Sequence, residues 1–166
     1  MIHETAIVDK KAKISDSAVI GPYSIIGPHV EIEDGSEIQS HVILQGDTTI
    51  GKNTKIFPFA SIGTSPQDLK YSGEQTKLEI GNNNIIREYV TINIGTRGGG
   101  GITKIGNSNL IMIGAHIAHD CKIGNNTVIA NSAAIAGHAE IADDVIIGGN
   151  CGIQQFTRIG TVSYTH

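Results

Sequence analysis

A chain of 166 residues is one domain's worth of sequence and long enough to bury a core of its own. Twelve Lys and Arg against 16 Asp and Glu give a net charge of −4 with no long run of either sign, which argues against a broad nucleic-acid footprint or a basic membrane-binding face. The start, MIHETAIVDKK, has no apolar leader, no apolar run reaches spanning length, and two cysteines do not make a disulfide framework. The chain therefore reads as a soluble cytoplasmic protein with neither a nucleic-acid partner nor membrane insertion. With 21 glycines, no tryptophan and few aromatics, its core has to be aliphatic and repetitive.

In chain order, a six-residue ruler appears at once. Ile2, Val8, Ile14, Ile20, Ile26, Ile32, Ile38, Leu44, Ile50, Ile56 and Ile62 fall on it, and the register resumes at Ile80, Ile86 and Ile92. After a one-residue slip it runs again from Ile105 every six residues to Ile159. Four residues after a ruler position sits a small or β-branched residue, as at Ala6, Ala18, Ser24, Ala115, Cys121 and Ala133, and glycine often follows the ruler directly. Six is not a helical period, and a helix does not tolerate this glycine and β-branched content. It is an even number, so both marked positions face the same way along a strand. The pattern resembles the hexapeptide repeat of left-handed parallel β-helices, in which three hexads make one triangular coil. Residues eighteen apart then stack at about one strand spacing, roughly 4.8 Å. The fold expected is an all-β solenoid over residues 1–160.

Two segments leave the ruler. The first, about 63–79, carries SPQDLKYSGEQTKLE and puts Asp68 and Glu74 at ruler positions, so it loops outward. The second, about 95–104, carries four consecutive glycines, Gly98 to Gly101. That run lacks the Lys-Ser/Thr sequel of a phosphate-binding loop and reads as a flexible excursion at a coil corner. Cys121 and Cys151 occupy small inward positions on different faces and are expected to be reduced core residues.

Chemistry concentrates in Gly114–Asp120, GAHIAHD, where imidazoles suited to acid–base work near neutrality sit beside a carboxylate that can fix a tautomer. Eighteen-residue stacking places Gly137 above His119 and Gln155 above Gly137, as a ladder on one face, with His138 beside Gly137. His116 is expected at the corner leading into that face. A glycine rung lets a reactant approach the backbone, whose amide can donate to a developing oxyanion. HxxH also invites a metal reading, since some left-handed β-helical trimers are zinc carbonic anhydrases, but the spacing differs and the Asp120 pairing suits a base better than a ligand set. No metal or other cofactor is expected. His3, His29, His41 and His166 have no cluster and read as solvated.

Three motifs, QDLKYSGE at Gln67–Glu74, HIAHD at His116–Asp120 and AGH at Ala136–His138, go beyond the generic ruler. From about Ala6 to Ile159 the chain resembles the family of acyl-carrier-protein–UDP-N-acetylglucosamine O-acyltransferases, which begin lipid A synthesis. The resemblance implies a homotrimer that moves an acyl group, of the 3-hydroxyacyl class, from acyl carrier protein to the 3-hydroxyl of UDP-N-acetylglucosamine. It implies His119 as general base, Asp120 as its orienting carboxylate and Gly137 as oxyanion donor, with Asp68, Lys70, His116, His138 and Gln155 binding substrate. Gln154 stands where the family usually has histidine.

Family members continue with more coils and a helical C-terminal domain, which is not found in these 166 residues. Thr161–His166, TVSYTH, reads as a non-native tail, encodable by a transposon mosaic-end adapter, so the natural chain is expected to be longer. The alternatives are a related hexapeptide acyltransferase acting on a diamino-sugar nucleotide, an inactive solenoid fragment and, last, a zinc carbonic anhydrase.

Overall fold

The computed structural model describes residues 1–165, and His166 lies outside them. The chain winds as a left-handed parallel β-helix. Its short strands form three eight-stranded sheets, each strand pairing in parallel with its counterpart one coil above and below. The eighteen-residue stacking holds directly: Ile7 pairs with Ile25, Ile25 with Ile43, and Ile117 with Ile135. Each excursion lengthens one step, so that Ser61 pairs with Thr91 and Thr91 with His116.

The ruler residues fill the interior. Ile20, Ile38, Ile62, Ile86, Ile117 and Ile135 are all 1% exposed or less. Burying each such side chain is worth roughly 1.5–3 kcal/mol, and repetition along the axis replaces the aromatic ballast that this chain lacks. The single strand residue before each ruler position points outward, because strand side chains alternate. This alternation gives each sheet its own outer character. One carries the charged row Lys104, Lys122, Glu140 and Arg158, and another the aliphatic row Ile85, Leu110, Val128 and Ile146. The third carries Ile43, Ser61, Thr91, His116 and Ala134.

Between faces the chain turns on residues in the left-handed backbone region, among them Asn53 (φ 53°), Tyr89 (φ 59°), Asp120 (φ 60°) and His138 (φ 63°). Most are not glycine, so their strain is offset by the stack that holds them. The first excursion rejoins its sheet at Lys77–Ile80 and the second at Ile102–Ile105, and both returning strands are earlier than the loop limits expected from the ruler. Four-residue pairing between them explains this: Leu78 and Thr103 are buried inward one step ahead of the ruler isoleucines. No helix among the described residues is long and apolar enough to cross a membrane.

Three expectations need correction. His116 is not at a corner: it lies in the strand His116–Ile117, as the outward neighbour of ruler residue Ile117. His41 is exposed yet not isolated, since it stacks between Tyr23 and Phe59 at ring distances of 5.1 Å on each side. Stacking along a corner brings such rings together whenever residues eighteen apart are aromatic. Cys121 is a core thiol, pushed up to about 11 by burial, whereas Cys151 near the upper end is only half-buried. Beyond Ile159 the coil continues: Tyr164–Thr165 pairs with Ile146–Ile147.

Candidate active site at the His119 corner

The ladder of His119, Gly137 and Gln155 forms, but it stands at a corner, two residues past the ruler, and not on a flat face. The His138 amide donates to the His119 carbonyl at 3.1 Å, and the Phe156 amide to the Gly137 carbonyl at 3.3 Å. Gly137 sits so close above the imidazole that a Cβ there would lie 2.6 Å from His119 Cε1. Glycine is therefore required by the neighbour below it, which is a stronger reason than a bend in the chain. Its N–H has no hydrogen-bond partner among the described residues.

His119 is 7% exposed and Asp120 4% exposed. His119 Nδ1 lies 2.8 Å from Asp120 Oδ2. A carboxylate against Nδ1 favours the tautomer with the proton on that nitrogen, leaving Nε2 with a lone pair to accept one. His138 completes the cluster, its Nε2 4.0 Å from Asp120 Oδ2 and its ring edge-on to His119 at 5.1 Å. On its other side the His138 ring stacks on Phe156 at 4.5 Å.

His119, Asp120 and His138 can offer one ligand atom each within 4.8 Å of one another. Both Asp120 oxygens, however, already accept hydrogen bonds: Oδ1 from the Thr96 amide at 2.8 Å, Oδ2 from the Thr96 hydroxyl at 2.6 Å. A carboxylate committed in this way, with Nδ1 of its neighbour turned onto it, fits an acid–base pair better than an open metal site.

Two cavities flank this corner. One, about 550 Å³, is lined by His116, His119, Gly137 and Gln155 together with Gln67 and Gln154. The other, about 520 Å³, is lined by Asp68, Lys70 and His138 together with Glu74, Arg97 and Phe156. The residues singled out from sequence are thus gathered around one corner, some on it, His116 on the adjoining strand and Asp68 and Lys70 on the excursion, and they divide between its two sides. Burial, reinforced by the nearby His119 charge, lowers the pKa of His116, whose Nδ1 is 2.7 Å from the Thr91 hydroxyl. On the excursion, Glu74 is held down at about 2, first by the Ser72 amide and then by other backbone amides including that of Arg97. The Glu74–Arg97 contact, 3.2 Å, ties the two excursions to each other.

Sequence reasoning missed Thr96, Thr103 and Phe156, and the close seat of Gly99 within the glycine run. Phe156 carries a signal in hindsight, being eighteen residues after His138. Thr96 carries none, because the second excursion breaks the spacing by which its neighbour could be computed. Within the glycine run Gly99 alone is closely seated, since a side chain there would be driven into the Asp120 carboxylate, whereas Gly98, Gly100 and Gly101 face open space.

Comparisons with known proteins bear on the family and the fold. A family model described as bacterial transferase hexapeptide (six repeats) matches residues 102–137, and one described as GMPPB C-terminal domain matches residues 2–65. An acyl-[acyl-carrier-protein]–UDP-N-acetylglucosamine O-acyltransferase of Rickettsia bellii is 55% identical over 122 residues, spanning 74% of this chain and 43% of that protein. The crystal structure of Francisella novicida UDP-N-acetylglucosamine acyltransferase superposes with a TM-score of 0.97 at 46% identity, covering 99% of this chain and 60% of the other. That of the Bacteroides fragilis enzyme gives 0.71 at 39% identity, covering 100% and 67%. The chain spans less than half the length of the curated relative it matches.

Proposed function

The chain belongs to the UDP-N-acetylglucosamine acyltransferase family, and from that premise we propose that it transfers an acyl group, of the 3-hydroxyacyl class, from acyl carrier protein to the 3-hydroxyl of UDP-N-acetylglucosamine, the first step of lipid A biosynthesis. The observation that carries this reading is one line of groups: Asp120 on His119 Nδ1, and Gly137 with an unpaired amide packed over the same imidazole.

His119 Nε2 takes the proton of the sugar 3-hydroxyl as its oxygen attacks the thioester carbonyl. Asp120 holds the imidazole in the competent tautomer and stabilises its charged form. The Gly137 N–H receives the oxyanion, and collapse of the tetrahedral intermediate expels the thiol of the carrier, which regains a proton from His119. Lys70, Asp68 and His138 hold the sugar nucleotide from one side of the corner, and His116 and Gln155 from the other. None of these steps calls for a cofactor.

The aliphatic row Ile85, Leu110, Val128 and Ile146 supports threefold packing into a homotrimer, since Ile85 and Ile146 are each 41% exposed on a flat sheet. Donor and acceptor are both cytoplasmic molecules, and we place the reaction there. The test is acyl transfer by the full-length protein from acyl carrier protein to UDP-N-acetylglucosamine, with a diamino-sugar nucleotide assayed in parallel. His119→Ala is expected to lower the rate about 10²- to 10⁴-fold with an unchanged circular dichroism spectrum. Undiminished turnover in that variant ends the general-base assignment, and preference for the amino acceptor moves the protein to the amide-forming branch.

A further inference from the structure

We infer that Thr96, on the glycine excursion, is a positioning residue that sets the orientation of the Asp120 carboxylate and through it the tautomer of His119. This rests on the reaction proposed above, but the geometry behind it is independent of the substrate.

Thr96 is 5% exposed and precedes the 3-10 turn Arg97–Gly99 at its cap position. A threonine there ordinarily turns its hydroxyl back onto the amides of its own turn. Here no such cap is made. The hydroxyl donates instead to Asp120 Oδ2 at 2.6 Å, while the Thr96 amide donates to Oδ1 at 2.8 Å. One residue therefore grips both carboxylate oxygens. From below, the Thr103 hydroxyl accepts the Asp120 amide at 2.8 Å and holds the backbone from which the carboxylate springs. Gly99 completes the seat by having no side chain where the carboxylate lies. Spent on a foreign residue, the hydroxyl leaves its own turn uncapped, a loss that the contact with Asp120 has to offset.

What the grip prevents can be read from the neighbours. Asp120 Oδ2 has two imidazoles within reach, His119 Nδ1 at 2.8 Å and His138 Nε2 at 4.0 Å. A carboxylate held only by the Thr96 amide is free to turn between them. When it leaves His119, Nδ1–H is no longer favoured, and the proton populates Nε2, the nitrogen that has to be empty to act as a base. The hydroxyl of Thr96 fixes the carboxylate on the His119 side. Threonine and serine can both do this, and valine, of the same shape, cannot.

The experiment compares Thr96→Val and Thr96→Ser in the full-length protein, with Thr96→Ala in place of the valine variant should that one fail to fold. Steady-state kinetics and ¹⁵N NMR of histidine-labelled protein are the readouts. Expected for the variant without a hydroxyl is a kcat about 10- to 100-fold lower, with KM for the sugar nucleotide within about twofold of wild type. Its His119 nitrogen shifts move from the Nδ1–H form toward a mixture of tautomers. Thr96→Ser is expected to keep both kcat, to within about threefold, and the wild-type shifts. The inference is overturned by wild-type shifts in the valine or alanine variant, by a loss confined to KM, or by a serine variant as impaired as the valine one. If the wild-type protein itself transfers no acyl group, the proposed reaction fails, and the NMR comparison alone decides the role of Thr96.

Discussion

Two corners of the same coil use one backbone conformation for opposite purposes. At the asparagine corner, Asn82, Asn107, Asn125 and Asp143 succeed one another up the axis. Each side-chain oxygen accepts the amide below it: Asn107 Oδ1 takes Asn82 N–H at 2.7 Å, Asn125 Oδ1 takes Asn107 N–H at 2.8 Å, and Asp143 Oδ1 takes Asn125 N–H at 2.7 Å. That ladder satisfies its own backbone amides, rung by rung. At the His119 corner the corresponding rungs are His119, Gly137 and Gln155. Their side chains do not bond to one another. Asp120 is satisfied from outside the repeat by Thr96, and Gly137 contributes a gap and an amide. A solenoid corner becomes chemically useful where its ladder is interrupted and an insertion supplies the missing partners.

Gly137→Ala is the sharpest way to break that contrast, and the largest effect expected among the variants that leave the corner's ionisable groups in place. The new methyl would meet His119 Cε1 at 2.6 Å and Nε2 at 2.8 Å, so the ring must shift from its seat against Asp120. Gly137 does not have a positive φ, so alanine brings no backbone strain. We expect kcat about 100-fold lower, the scale of a base displaced by about an ångström while the Gly137 N–H itself is kept, with the thermal midpoint little changed. A normal kcat with a lowered midpoint would make Gly137 a packing residue like its counterparts at other corners.

Asn125→Ala is the reverse experiment. It deletes the acceptor of Asn107 N–H and the 3.1 Å bond from Asn125 Nδ2 to Asp143. Water can reach this half-exposed rung, so the cost is that of ordinary hydrogen bonds, about 1 kcal/mol, or roughly 2–4 °C in the midpoint of a chain this size. Turnover should be unchanged. A fall in kcat would mean that the two corners are mechanically coupled and that the division between scaffold and site is false. Urea denaturation and steady-state kinetics on the same preparation separate the outcomes.

The contrast also explains what could be read in advance. Wherever the ruler ran unbroken, stacking by eighteen placed residues correctly: Gly137 on His119, Gln155 above both, and the isoleucine column inside. It misplaced His116 through the phase of the hexad, since the residue just before a ruler isoleucine is on a strand and not at a bend. Thr96 was beyond reach for a different reason. The excursion that carries it obeys no period, and its contact with Asp120 spans 24 residues, a separation that is no multiple of eighteen. Gly99 escaped notice because glycine suggests freedom, when at this one position of the run it marks a close approach by a carboxylate. Repeats make a fold legible and make their own interruptions illegible, so here the site is harder to read than its scaffold.

His116 gives the smallest effect and tests whether the useful corner carries a cost in stability. It is half-buried on a strand next to that corner, with its Nδ1 on Thr91 Oγ1 at 2.7 Å, and burial followed by the His119 charge lowers its pKa from 6.5. A histidine whose folded pKa is depressed takes up its proton more readily when unfolded. Below about pH 6.5 the unfolded chain therefore binds more protons at this position, and stability falls as pH drops from there through the lowered folded value. His116→Gln keeps a polar group near Thr91 and removes the titration. Urea midpoints measured at about pH 5 and about pH 7.5 should differ less in the variant than in the wild type, with the wild type losing stability on the acid side. An equal difference in both would assign the acid sensitivity to other groups. At the asparagine corner, where the ladder has no imidazole, a substitution such as Asn125→Ala should lower both midpoints together and leave their difference as it was.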